Sequence, residues 1–404
     1  MNILIISKYA SSKEVGFESR IFAISRELAK SGHLVSIITS DSNHFANYPK
    51  FKKIYNTESV SNINLLCIRT IKYVKTYSLK RVLSWIDFEI KLFLLPKKFI
   101  SNPNVIIISS LSLITILNGF KLATKLNTKL VFEIRDIWPL TITAEGSFSK
   151  YNPLVFILSL IEKFGYKKSD LVIGTMPNLR SHVYNVTKLK NIRCECIPFG
   201  INSIENIDKV ESFDFRENFQ IPKDKFIVGY AGSIGITNAL DAFVESSKML
   251  QKDNRFLFVV LGSGDLRDKF VKQTEGYENI IFIPKVPREI VASFLAICDI
   301  LYFSSLKSEI WEYGWSPNKI IDYMMARKPI LASYTGFQSM INEADCGFFV
   351  ESENAIEIKN KLLHLIEIPK ENLNVIGNRG YEWLLKNRTW KKLADDYIGF
   401  INSL

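Results

Sequence analysis

Ser316-Pro317-Asn318-Lys319-Ile320-Ile321-Asp322-Tyr323-Met324-Met325, followed by Lys328-Pro329-Ile330-Leu331-Ala332, reads as a loop, a helix and a buried strand in direct succession. Pro317 suits a first helical turn, where its missing N–H needs no partner, and Ser316 before it suits an N-cap. The unsatisfied N–H groups and positive end of that helix favour an anion. Lys319 adds a full charge at the same place, and Asp322 follows on the same helical face. The set suits a nucleotide diphosphate, with Lys319 on phosphate and Asp322 on ribose hydroxyls. An ordinary capped helix with a solvated lysine accounts for the same residues equally well. The surrounding chain decides between the two.

Working outward, short β-branched apolar runs alternate with longer amphipathic ones. Asn2–Ser7, Leu34–Thr39, Val105–Ser109, Leu130–Ile134, Leu171–Thr175 and Cys194–Ile197 read as strands. Phe17–Ser31, with Phe17, Ile21, Ile24 and Leu28 at helical spacing, and Leu154–Tyr166 read as helices. A polar, acidic stretch after Asn202 runs to Pro222, and the pattern then restarts. Its strands are Phe226–Ala231, Phe256–Leu261, Ile280–Ile283, Ile300–Phe303 and Ile330–Ala332. Strands buried on both faces and separated by helices imply parallel sheets, hence an α/β fold of two doubly wound units. Arg388 to Leu404 reads as one more amphipathic helix.

A chain of 404 residues exceeds one typical domain and fits two. Hydrophobic residues make up 47% and charged residues 23%, as in a globular protein with a substantial core. The 52 Lys and Arg against 41 Asp and Glu leave a net charge of +11, which suits an anionic partner such as a membrane surface, a nucleic acid or a phosphorylated substrate. No nucleic-acid-binding motif is present, and nucleic acid is not an expected partner. Five scattered cysteines, including Cys194 and Cys196 on one face of a strand, fit a reducing, cytosolic compartment. His33 reads as structural, and His44, His182 and His364 do not cluster as metal ligands. The start, Met1 to Ser7, lacks the charged leader of a signal peptide, and no run is long enough to span a bilayer.

In open α/β sheets, ligands bind at the carboxyl ends of the strands. Gly16 follows the first strand, Gly232-Ser233-Ile234-Gly235 follows the first strand of the second unit, and Gly262-Ser263-Gly264 the next. Glycine at such ends lets backbone N–H groups approach a phosphate or sugar closely, and also serves plain tight turns. Three such ends together with the Lys319 helix favour a ligand cleft.

The ordered series of these motifs resembles a GT-B glycosyltransferase of the retaining family 4 type, which builds bacterial surface polysaccharides such as capsule and O-antigen. The resemblance rests on Gly16 with Ser19-Arg20, on Gly32-His33-Leu34-Val35, on Glu133-Ile134-Arg135-Asp136-Ile137-Trp138-Pro139 and on Ile197-Pro198-Phe199-Gly200-Ile201-Asn202. It continues through Gly229-Tyr230-Ala231-Gly232, Leu261-Gly262-Ser263-Gly264 and Tyr313-Gly314-Trp315-Ser316 to Pro329. The Arg135-to-Pro139 and Ser316-to-Lys319 segments look like the branch containing fucosamine-type transferases.

The resemblance implies two Rossmann-like domains facing a central cleft: an acceptor domain over 1–203, a nucleotide-sugar domain over 204–385, and a terminal helix over 386–404 that crosses back to the first. It implies transfer of a hexose or N-acetylhexosamine, from a UDP-sugar by preference, to a lipid-linked or growing surface glycan. It also implies no metal or other cofactor, and a cytoplasmic protein peripheral to the inner face of the plasma membrane. A GT-B epimerase or hydrolase, or a nucleotide-sugar-binding protein without catalysis, are the alternatives.

The donor-binding candidates are Gly16, Arg20, Gly232, Ser233, Gly235, Gly264, Ser316, Pro317, Asn318, Lys319 and Asp322. Asp136 and Arg135 at a strand end, and Glu309, are the catalytic candidates. Two departures from the family stand out. Relatives carry two glutamates eight positions apart, where this chain has Gly314 and Asp322, so Glu309 or Glu312 would have to fill the first role. Thr237-Asn238 replaces a common Arg and Lys, which shifts phosphate charge onto Lys319. Finally, Ile71 to Phe99 is rich in basic, aromatic and aliphatic residues. It suits either an anionic bilayer surface or a helix with an exposed basic face.

Overall fold

A computed structural model of the chain describes residues 1–43, 46–74, 78–109, 111–145, 148–202 and 213–404. His44, residues 75–77 of the basic stretch and the expected boundary at 203 and 204 lie outside them. The chain divides into two compact units, Met1–Gly200 with Trp390–Leu404, and Ile201–Thr389.

The first unit is an eight-stranded sheet of β1 (Asn2–Ile6), β2 (Leu34–Ser40), β3 (Tyr55–Val60), β4 (Ile63–Ile68), β5 (Val105–Ile108), β6 (Lys129–Ile134), β7 (Leu171–Gly174) and β8 (Cys194–Cys196), in the order β3-β4-β2-β1-β5-β6-β7-β8. The central strands are continuous β-branched runs because helices cover both faces. Ile3 of β1 pairs with Val35 of β2 and with Val105 of β5, all in parallel. On one face, Ile3, Ile5, Val35, Ile37 and Ile107 pack against helix Arg20–Lys30 and the C-terminal helix Trp390–Asn402. The alternate residues, such as Ile108 and Phe132, meet helices Thr115–Leu126 and Pro153–Lys168 at Gly119 and Gly165.

The second unit is a six-stranded, fully parallel sheet of β9 (Phe226–Ala231), β10 (Phe256–Leu261), β11 (Ile280–Ile283), β12 (Ile300–Ser304), β13 (Ile330–Ser333) and β14 (Gly347–Val350), in the order β11-β10-β9-β12-β13-β14. Phe243 stacks on Tyr302 at 4.4 Å in its core.

Three strands go beyond the sequence reading. β3 and β4 form an antiparallel hairpin at the sheet edge, so the first sheet is mixed rather than wholly parallel. Its turn residues Ser61 and Asn62 both have left-handed backbones (φ 52° and 62°), which is the twist a two-residue hairpin needs. β3, Tyr-Asn-Thr-Glu-Ser-Val, is half-polar because an edge strand keeps water on one side. The third, β14, is short and lies at the other sheet's edge. Two helix starts also move inward. Phe17 is exposed ahead of a helix that begins at Arg20, and the Lys319 helix begins at Asn318, with Pro317 as an extended N-cap (ψ 140°) in place of Ser316.

Candidate functional site

At the carboxyl ends of β9 and β10 two tight turns interlock. Gly232 N–H donates to the Leu261 carbonyl and Ile234 N–H to the Ser263 carbonyl. The fit demands glycine: a Cβ at Gly262, where φ is 154°, would lie 1.9 Å from the Gly232 oxygen. A Cβ at Gly232 would lie 2.7 Å from the Lys319 Cε, in space the lysine occupies.

Lys319 reaches those turns from the first turn of helix Asn318–Met325. Its Nζ donates to the Tyr230 hydroxyl at 2.7 Å and to Asn238 Oδ1 at 3.0 Å, and sits 4.1 Å from the Tyr230 ring centre. Tyr323, one turn on, accepts from Ala231 N–H through its hydroxyl and fixes the helix against β9. No carboxylate pairs with Lys319 among the described residues, and burial alone pushes its pKa down to about 7. No side chain caps the start of this helix, so its N–H groups and an uncompensated cation face the same space.

That space is a cleft of about 510 Å³. Gly232, Ser233, Lys319 and Asp322 line it, as the sequence reading grouped them. Lys285, Arg288 and an apolar wall of Val286, Val291 and Leu295 also line it and were not foreseen. They come from the loop after β11 and the helix Arg288–Ile297. Lys285 and Arg288 flank Pro287 at that helix start, the same cation-and-proline signal that marked Lys319. Asp322 is half-exposed; surrounding protein raises its pKa, partly offset by Arg288 at 3.8 Å. Gly235 and Gly264 shape the neighbouring turns, with Gly264 packed on the Ile234 carbonyl. Ser316 and Pro317 lead into the helix and Asn318 opens it, and none of the three lines the cleft. Asn238, which replaces a basic residue of the resembled family, orients Lys319 rather than adding charge.

The remaining candidates are not among the residues lining this cleft, and Gly16, Arg20, Arg135 and Asp136 belong to the first unit. Arg20, expected to bind phosphate, is spent internally. It is buried, salt-bridged to Glu133 at 2.8 Å, and donates to the carbonyls of Ile197 and Pro198. Burial would raise the Glu133 pKa, but Arg20 and the Ser109 hydroxyl more than reverse this and hold it below its usual range. Tyr397 of the C-terminal helix donates to the other Glu133 oxygen at 3.1 Å, completing a closed network. Gly16 (φ 111°) turns the loop ahead of helix Arg20–Lys30. Arg135 and Asp136 follow β6 in the first unit. The Arg135 Nε is buried without a hydrogen-bond partner, and Asp136 is an exposed side chain whose pKa the surrounding protein raises, partly offset by Arg135. Glu309 is exposed on the short turn Glu309–Tyr313 and is not part of the cleft wall, and Gly314 ends that turn with φ 80°.

Residues 211–383 match the family model of the group 1 glycosyl transferases. That stretch is the second unit, with the interlocked glycine turns and Lys319. A poly(ribitol-phosphate) alpha-N-acetylglucosaminyltransferase of Staphylococcus aureus (strain COL) is 22% identical over 217 residues, 50% of this chain and 40% of that protein. The chain thus spans 40% of that relative's length. Among solved structures, a sucrose-phosphate synthase from Thermosynechococcus elongatus superposes with a TM-score of 0.69 at 16% identity, covering 100% of this chain and 98% of that one. Anabaena HepE in complex with UDP gives 0.65 at 13% identity, covering both chains fully at 100%. These likenesses are of fold: an α/β, GT-B architecture with two domains built on parallel sheets, the first carrying an antiparallel edge strand.

Proposed function

We propose that the chain is a glycosyltransferase. It moves a hexose or N-acetylhexosamine from a nucleotide sugar, a UDP-sugar by preference, to a lipid-linked or growing surface-polysaccharide acceptor, with retention at the anomeric carbon. Lys319 carries the reading: a desolvated ammonium with no carboxylate partner among the described residues, set against glycine turns at an uncapped helix start, is a site waiting for an anion. The group 1 match over this unit and the UDP held by HepE favour a nucleoside diphosphate.

In this reading Lys319 and the helix N–H groups take the diphosphate, with Lys285 and Arg288 beside them. Asp322 takes ribose hydroxyls, and Val286, Val291 and Leu295 hold the flat face of the base. As the sugar departs, negative charge grows on the diphosphate, and a preorganised ammonium stabilises it without a divalent ion. Asp136, at the end of β6 in the first unit, contacts sugar hydroxyls of the acceptor. The protein works at the cytoplasmic face of the membrane that holds its lipid-linked acceptor.

Calorimetric titration with UDP-, GDP- and dTDP-sugars tests the donor assignment: selective binding of UDP-sugars is expected, and no binding of any would overturn it. Turnover that requires a lipid-linked acceptor supports transfer, while turnover without one supports an epimerase or hydrolase. Gly314 at the usual glutamate position and the exposure of Glu309 favour one second reading, binding without catalysis. Tight donor binding with no turnover under any acceptor would establish it.

A further inference from the structure

The first unit carries a helical layer whose outer face is apolar and basic. Helix Leu79–Phe93 buries Ser84, Phe88, Glu89 and Leu92 against the unit. Its opposite face is Leu79, Val82, Leu83, Ile86, Ile90 and Phe93, spaced at three and four residues, with Leu79 83% and Phe93 57% exposed. An ordinary surface helix reverses this pattern and puts charge outward. Alongside, helix Thr115–Leu126 exposes Leu117, and helix Pro153–Lys168 exposes Leu154, Phe156, Ile157 and Leu160, with Phe156 63% exposed. The three helices are contiguous: Lys121 lies over the Phe93 ring, Asn118 donates to Glu89, and Phe120 meets Phe164 edge-on at 5.1 Å.

Charge on this layer has one sign. The helices hold Lys80, Arg81, Lys91, Lys121, Lys125, Lys163, Lys167 and Lys168. Their only acids are Asp87, Glu89 and Glu162. Glu89 and Glu162 are buried and hydrogen-bonded, to Thr115 and His182 among others, and Asp87 is paired with Lys91 at 2.8 Å. No exposed carboxylate remains on the three helices. Between the first two opens a cavity of about 260 Å³, with Leu92, Phe93 and Leu122 in its wall and Lys97, Lys121 and Lys125 around it. A cavity both apolar and tribasic fits the phosphate and upper acyl chain of an anionic lipid better than it fits a protein side chain.

No helix among the described residues is long and apolar enough to cross a membrane, so this face would lie in the bilayer interface. We propose that the layer formed by Leu79–Phe93, Thr115–Leu126 and Pro153–Lys168 docks the protein on an anionic lipid bilayer, inserting the Leu79-to-Phe93 stripe and seating a lipid phosphate among Lys97, Lys121 and Lys125. Apolar insertion and electrostatic attraction then add, which is how a reversible interfacial helix holds a surface. The sequence pointed to residues 71–99 alone; the structure adds the second apolar helix, the inward acids and the lysine cavity.

Vesicle co-sedimentation of the full chain tests this without any nucleotide sugar, so its outcome is separate from the transferase reading. Binding is expected to phosphatidylglycerol-containing vesicles, to weaken with added salt, and to be lost on phosphatidylcholine alone. Ile86→Glu with Ile90→Glu should cut partitioning by about tenfold or more while circular dichroism and melting stay unchanged, because both side chains are exposed. Lys97→Glu with Lys121→Glu and Lys125→Glu should remove the preference for anionic lipid. Full vesicle binding by the isoleucine variant would overturn the proposal. So would failure of the wild type to bind, or a wild-type dimer that the isoleucine variant dissociates, which would make the face a contact between copies.

Discussion

Arg20 and Lys319 look alike in the sequence: each is a cation in the first turn of a helix that follows a strand and a loop. The structure gives them opposite fates. Arg20 meets Glu133, two backbone carbonyls and, through Glu133, Ser109 and Tyr397, so its charge is neutralised within the fold. Among the described residues Lys319 meets a phenol, an amide oxygen and aromatic faces and no carboxylate, so its charge stays uncompensated. An internal counter-charge, rather than the cation or its helix position, separates a structural cation from an anion site. Burial disfavours a lone ammonium, and an internal counter-charge offsets that cost.

The largest effect that follows falls on Arg20. Arg20→Met strands the Glu133 carboxylate in the core and should cost about 3–5 kcal/mol, read as a loss in denaturant midpoint. A cost below about 1 kcal/mol would break the contrast, since Arg20 would then be dispensable to the fold. Lys319→Met should do the reverse. UDP affinity should fall by about 100-fold, as expected for a charge-assisted phosphate contact worth about 1.5–3 kcal/mol. The melting temperature of the free protein should hold or rise, because a partly buried charge with no counter-charge among the described residues is removed.

pH sharpens the contrast further. The Lys319 pKa is lowered to about 7 from 10.5, so the unfolded chain binds its proton more tightly than the folded one. The resulting penalty on the free fold is complete below about pH 7 and fades as pH rises towards the unfolded value. A bound diphosphate keeps the ammonium protonated. Above about pH 7, binding must therefore take up a proton, and UDP affinity should fall by up to about tenfold per pH unit. Lys319→Met should lose this dependence. The smallest effect belongs to Asp322→Asn, which keeps the shape and a hydrogen-bonding oxygen. It should weaken UDP by about threefold to tenfold and leave inorganic pyrophosphate binding unchanged, as checked by competition titration.

Much of this contrast was hidden in the sequence for definite reasons. The strand runs and the restart after Pro222 were legible because β-branched stretches buried on both faces have no other reading. Lys319, Asp322 and Gly232 were legible because each stands at a strand or helix end. The fate of Arg20 was not, since its partner Glu133 is 113 residues away and no local pattern announces the pairing. Asn238 looked like a missing charge and proves to be the group that aims Lys319. Val286, Val291 and Leu295 gave no signal because apolar residues at helical spacing look the same facing a cleft or a core. The β3–β4 hairpin escaped because its turn is Ser61-Asn62 rather than a glycine pair.

Isothermal titration of UDP into the wild type and Lys319→Met, at about neutral pH, tests most directly whether the uncompensated lysine is the diphosphate site. Binding to the wild type, loss of about 100-fold in the variant and an undiminished melting temperature are the expected results. Equal UDP affinity in both proteins, or a wild type that does not bind UDP, would contradict it.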